Sequence, residues 1–282
     1  MRWTPGGLSG DVEDRRSSGG GGFGFGGGLG WGGLLLLLII SLVTGRNYIG
    51  AYLLGGGGAG QTQSQQHRAA SPDEERSAQL VSFVLDDAQK TWPDLLAQRG
   101  VRYRHAKLVL YRGATYSGCG TARSATGPFY CPEDEKVYID LDFWDDLRRF
   151  GASGEFAQAY VVAHEIGHHV QKILGTESQV RQLMQQNPTQ QNQLSVDLEL
   201  QADCYAGVWG HSTEQRNIID QSDVDAGLRA AAAVGDDHLQ KMAGRAVSPD
   251  SFTHGSSQQR EDWFKKGLDS GDIKACNTFA GQ

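Results

Sequence analysis

Positive charge is scarce in this chain: 26 Lys and Arg stand against 33 Asp and Glu, a net of −7 over 282 residues. A nucleic-acid partner would favour a basic face, so that class is set aside. The four cysteines include no C-x-x-C pair, which removes a structural zinc knuckle. No internal repeat is present, so a solenoid or propeller is excluded. Charge of either sign is missing from Ser17 to Gly45, a run of 29 residues.

What fills that run is glycine, then hydrocarbon. Of the 39 glycines, 21 fall in the first 60 residues. The uncharged stretch ends in LLLLLIISLV, Leu34 to Val43. Extended through Phe23, Phe25 and Trp31, it is long enough to cross a bilayer as a helix of about 20 residues. The expected organisation is therefore a polar N-terminal segment over 1–22, with no fold assigned to Met1–Ser18, a transmembrane helix over 23–45, a Gly/Gln-rich linker over 46–71 and a folded domain over 72–282. Arg15 and Arg16 precede the span and Arg46 follows it, a bias toward a cytoplasmic N-terminus and an exported domain. The long, mixed-charge start and the lack of a small-x-small site argue against a cleaved signal peptide.

Within the domain, Asp73 to Gln98 has helical spacing and a stop at Gly100. Lys107–Tyr111 and Val137–Leu141 read as strands on either side of a glycine-rich excursion. Helices are expected near Glu177–Gln186 and Ser195–His211, separated by the polar loop QNPTQQNQ. The pattern is α+β.

The chemistry concentrates in VVAHEIGHHVQ, Val161 to Gln171. His164 and His168 are four apart, so on a helix they share a face and can reach one metal ion. Val162, Ile166, Val170 and Ile173 supply the apolar stripe, Ser153 is the expected cap, and Gly175 the stop. Zinc suits two neutral imidazoles with a position left for water, and Glu165 is the candidate base for that water. His169 is out of phase with the pair and reads as structural. A third ligand is needed. Glu199, in LELQADCYAG, is the candidate, because Leu198, Ala202, Ala206 and Val208 mark its helix as buried and a buried charge requires a partner. Asp203, one turn on, is expected to hold the free ring nitrogen of a ligand histidine. The metzincin extension is absent, since Gln171 and Leu174 stand where it needs Gly and His.

HEIGHH followed by ELQAD resembles the gluzincin arrangement of the Ste24 and HtpX-like membrane peptidases. With DVEDRR, SGCG, PFYCPEDEKVYIDLDF, ELQADCYAGVW, THGSSQQR and ACNTF, the chain is similar to the bacterial neutral zinc metallopeptidase family of the YpfJ type. That resemblance implies a zincin-like domain, a Zn²⁺ cofactor and a peptide or protein substrate. THGSSQQR, with His254 and Arg260, also resembles the T-H-P-x-x-x-x-R segment of the Ste24-like enzymes. This implies an oxyanion-donor role for His254, beside the alternative of a cap on the helix beginning near Ser257; Gly255 replaces the proline.

Cys119, Cys131, Cys204 and Cys276 allow three pairings. In an exported domain the expected bonds are Cys119–Cys131 and Cys204–Cys276; in a reducing compartment all four are core thiols. The reading is a membrane-anchored zinc endopeptidase. Its alternatives are a zinc-binding envelope scaffold without turnover and a zinc amidohydrolase on a non-peptide amide. Val137–Leu141 is the strand expected to pair with an extended substrate.

Overall fold

The computed structural model describes residues 1–17 and 70–279. A short strand, β1 (Val12–Asp14), is followed by α1 (Pro72–Ala97), β2 (Lys107–Tyr111), β3 (Ala114–Ser117), β4 (Gly120–Arg123), β5 (Phe129–Cys131) and β6 (Lys136–Asp140). Helices complete the chain: α2 (Phe143–Arg149), α3 (Glu155–Leu174), α4 (Thr176–Gln186), α5 (Gln191–Gln215), α6 (Gln221–Ala233), α7 (Asp236–Met242) and α8 (Ser257–Ser270). The fold is α+β and mostly helical, as expected.

Alternation along the strands gives the sheet two buried faces. Leu108, Leu110, Val137 and Ile139 turn toward the helices, while Val109, Tyr111 and Tyr138 form a second small core with Cys131. The strand order is β1-β2-β6-β5, with β1, β2 and β6 parallel and β5 antiparallel to β6. β6 is therefore paired on both sides and cannot accept a substrate strand. The expectation placed on Val137–Leu141 fails because pairing order is set by long-range contacts; β5 is the edge on that side.

α3 runs through the middle of the helical layer, and most of its residues are buried. Ser153 does not cap it: the residue before Glu155 is Gly154 at φ 101°, while Gly175 at φ 80° ends the helix as expected. The loop expected at QNPTQQNQ is instead a short 3₁₀ turn, Pro188–Gln190, from which α5 starts at once. Two close approaches set the helix positions. A Cβ at Gly167 would lie 2.8 Å from the Ala202 carbonyl, so α3 and α5 touch backbone to backbone there. A Cβ at Gly267 would overlap the Cys204 carbonyl, which brings α8 equally close to α5.

The N-terminal residues depart from expectation. Met1–Arg16 docks onto the domain: the terminal ammonium pairs with Asp223 at 2.8 Å, the Trp3 indole donates to Glu155 at 2.9 Å, and β1 lies in register with Leu108–Leu110 of β2. Charged partners make this possible. Glu13 meets Lys136 at 2.6 Å, and Arg16, its side chain 7% exposed, reaches Asp14 at 2.6 Å and Glu75 at 3.1 Å. The expected transmembrane helix and most of the linker lie outside the described residues; among those described, no helix is long and apolar enough to cross a membrane. Both expected disulfides, Cys119–Cys131 and Cys204–Cys276, are formed.

Arg16→Met should leave the Asp14 and Glu75 carboxylates without their shared cation, while Glu74 keeps Arg112. The expected cost is about 2 kcal/mol, a Tm drop of roughly 4–8 °C for a domain of this size. A thermal melt indistinguishable from wild type would mean that the N-terminal segment is not part of the fold in solution.

Candidate metal centre

The contact of α3 with α5 at Gly167 and Ala202 decides what meets what. His164 and His168 lie one turn apart on α3, while Glu199 and Asp203 lie one turn apart on α5, facing them. The His164 Nε2 atom is 3.2 Å from His168 Nε2 and 3.2 Å from a Glu199 oxygen; His168 Nε2 is 3.6 Å from the other Glu199 oxygen. Tetrahedral ligands at 2.0–2.1 Å from zinc sit about 3.3 Å from one another, so this spacing fits one zinc ion. The three side chains offer ligand atoms that all lie within 4.8 Å of each other.

The outer nitrogens of both rings are already committed. His164 Nδ1 donates to Asp203 at 2.8 Å, the role expected of that carboxylate. His168 Nδ1 donates to the Gln171 side-chain oxygen at 2.9 Å. With both Nδ1–H groups given away, each Nε2 presents a lone pair to the same point.

Asp203 is fully buried and its two oxygens are saturated. Arg260 binds it in bidentate fashion, Nε at 2.8 Å and Nη2 at 2.9 Å, and the Tyr160 hydroxyl also donates to it. Burial alone would raise the Asp203 carboxyl; Arg260, then His164, outweigh it and hold the group below its ordinary value. Burial likewise opposes protonation of His164, but Asp203 prevails and its pKa is pushed up to about 10, the mark of a strongly basic imidazole. Glu199, which burial would raise, is held well below the carboxylate range by His168 and by its bond to His164. Glu165 is different: burial raises it, and the histidine charges only partly offset this.

Charge arithmetic also favours a cation. Among the described residues, Glu165, Glu199 and Asp203 face one interior guanidinium, Arg260, 3% exposed. With neutral imidazoles the cluster carries a net −2, which a divalent ion neutralises.

The site opens on a cavity of about 460 Å³ lined by His164, Glu165, His168, Glu199, His254 and Arg260, with aromatic and aliphatic walls. His254 is brought to this cavity and does not cap α8; Ser256 does that, accepting from the Gln259 amide. Asp236 holds His254, its Oδ2 accepting the backbone N–H of Thr253 and of His254 and its Oδ1 lying 3.2 Å from the ring Nδ1. His169 points elsewhere, as expected. Its Nε2 donates to the Arg104 carbonyl at 2.7 Å and its Nδ1 accepts from the Tyr130 hydroxyl at 2.9 Å, which ties β5 to α3. Tyr160, Asp236 and Gln171 went unassigned in the sequence; of these, Gln171 alone had a local signal, three residues after His168 on the same helix.

A sequence model of the family described as "Putative neutral zinc metallopeptidase" matches residues 1–279. The chain is 52% identical over 286 residues to "Uncharacterized protein YpfJ" of Escherichia coli strain K12, covering 99% of each. It is 42% identical over 190 residues to "Uncharacterized protein Rv2575" of Mycobacterium tuberculosis strain H37Rv, covering 63% of this chain and 64% of that one. No solved structure matches.

Asp203→Asn keeps the size of the side chain but removes the charge that makes His164 strongly basic. Zinc affinity should fall by about 10–100-fold, measured by competition with a chromogenic chelator. Wild-type affinity in this variant would show that the carboxylate does not tune the ligand.

Proposed function

The chain belongs to the neutral zinc metallopeptidase family, and from that premise we propose that it is a zinc-dependent endopeptidase with a zincin-like catalytic domain. The observation carrying this reading is the convergence of His164, His168 and Glu199 beside a buried Glu165 in one cavity. Zinc held there supplies Lewis acidity toward the scissile carbonyl and lowers the pKa of water. Glu165 takes the proton from the attacking water and returns it to the leaving amine; its raised pKa moves it toward the range a general base needs near neutrality. We assign His254 as a donor to the carbonyl oxygen as charge builds there. Burial disfavours its protonation, but the bond to Asp236 and the nearby Glu199 raise its pKa, so it holds a proton to donate.

The substrate reading rests on β5. Its outer edge is free of strand partners among the described residues, and Phe129 and Tyr130 line the cavity. An extended peptide adding to that edge would run past Glu165. Phe143, Phe150, Val161 and Leu239 form an apolar wall, which favours bulky apolar side chains next to the cleaved bond. A strand edge has no use for a small non-peptide amide, and no side chain of the described residues hydrogen-bonds the buried Glu165 carboxylate. These two observations favour the peptidase over the amidohydrolase and over the scaffold.

Glu165→Gln should retain zinc, since Glu165 is not a ligand, and lose about 10²–10⁴-fold in hydrolysis of an unbiased peptide library. Unchanged turnover would reject Glu165 as the base. A wild-type protein that binds zinc and cleaves no peptide would return the scaffold reading.

For location we propose a membrane-attached chain whose two described parts share one side. Support comes from the pairing of β1 with β2. A single crossing between Ser17 and Ala70 would put these strands on opposite sides of the bilayer, so the pairing speaks against it. A second crossing would need roughly 20 more apolar residues, which 46–69 does not contain. The two disulfides favour an oxidising side. Tags placed after Thr4 and at Gln282 should respond alike to an impermeant protease on intact cells and spheroplasts. One tag cleaved while the other is protected would restore the single crossing with a cytoplasmic N-terminus.

A further inference from the structure

Behind His168 runs a chain of amides that leaves the cavity altogether. Gln171, fully buried, accepts from His168 Nδ1 through its oxygen and donates through its nitrogen to the Leu198 carbonyl at 2.7 Å and to the Gln201 side-chain oxygen at 3.1 Å. Gln201, 5% exposed, donates in turn to the backbone carbonyl of Cys276 at 3.0 Å. Cys276 is held to α5 by its disulfide with Cys204, three residues after Gln201.

The direction of every bond in this chain is forced. A backbone carbonyl can only accept, so the Gln201 amide must turn its nitrogen to Cys276 and its oxygen to Gln171. Gln171 must then offer nitrogen to Gln201, a demand the Leu198 carbonyl repeats. Its oxygen is left for His168, which can answer only as a donor from Nδ1. The Nε2 lone pair is thereby released toward Glu199 and His164. No amide can flip without setting two acceptors or two donors face to face in a buried site, at a cost comparable to losing a hydrogen bond.

We propose that Gln171 and Gln201 are positioning residues that fix the ring orientation and tautomer of His168, with the Cys276 carbonyl as the fixed end of the relay. The two histidines are thus set by different means: a charged group, Asp203, directs His164, and a neutral amide relay anchored in the C-terminal segment directs His168. Metal affinity then depends on a disulfide-held segment that never touches the metal. The proposal rests on the assignment of His164, His168 and Glu199 as zinc ligands.

The experiment is a Zn²⁺ competition titration on the full chain, paired with a thermal melt of each protein in excess chelator. Glu199→Ala serves as the control for the ligand assignment. Gln171→Met, close in size but unable to accept or donate in the relay, should weaken Zn²⁺ binding by about 10–100-fold, the range for losing a partner of a ligating histidine. Gln201→Met should weaken it less, because the Leu198 carbonyl still orients Gln171. Gln171→Glu restores an acceptor for His168 Nδ1 but sets its second oxygen against the Leu198 and Gln201 oxygens, so it should recover part of the affinity lost in Gln171→Met. With Co²⁺ as probe, the visible ligand-field bands should shift in Gln171→Met and return toward wild type in Gln171→Glu. A Gln171→Met protein that melts earlier in chelator yet binds Zn²⁺ as tightly as wild type would overturn the relay and leave Gln171 a packing residue. Wild-type affinity in Glu199→Ala would instead strike at the ligand assignment, so the two failures are distinguishable.

Discussion

A carboxylate with no access to water, Asp203, is the point from which the rest of this architecture follows. Such a charge is tolerated only where its oxygens are fully used. Here Arg260 from α8, Tyr160 and His164 from α3 all converge on it, so one side chain of α5 ties three helices together. The approach is possible because glycines stand where the backbones meet, Gly167 against Ala202 and Gly267 against Cys204. Any larger residue there would push the helices apart and strand the charges. The electrostatics therefore demand the close packing, and the close packing is written in glycine.

The same cluster explains why stability and reactivity divide between neighbouring carboxylates. Asp203 and Glu199 are held ionised by cationic or hydrogen-bonding neighbours, whereas Glu165 has burial as its largest influence and is pushed the other way. In the proposed function, three acidic side chains within one site take three roles: orienter, ligand and base. Their separation needs no special chemistry, only the order in which helix faces present them.

Legibility in the sequence followed the range of the interactions. His164, Glu165 and His168 could be read because helical spacing is local, and Glu199 with Asp203 could be read because an acidic pair among buried apolar residues needs a reason to be there. Both disulfides are the expected pairs, although four cysteines by themselves allow three pairings. The start of α3 was misplaced because a positive-φ glycine rather than Ser153 precedes it, and side-chain identity alone does not announce that. β1 was invisible: three polar-flanked residues carry no periodicity, and their partners lie some ninety residues on, at Leu108–Leu110. That Val137–Leu141 would have no free edge was hidden for the same reason, since which strand ends up at an edge is a property of the whole sheet. The Gln171 relay was beyond reach because its meaning depends on Gln201 and the Cys276 carbonyl.

The docked N-terminus also sets an order of events during biosynthesis. Met1 and Val12 emerge from the ribosome long before their partners, Asp223 and Leu108. At 5–20 residues per second, Met1 waits roughly 10–45 s for Asp223 to be made. Residues 1–16 therefore cannot finish docking until Asp223 has been made, and until β2 follows it is β1 that stays unpaired and open to any other strand. A nascent chain of this protein is thus exposed to misassociation far behind its growing end, at a strand that waits for a partner not yet made.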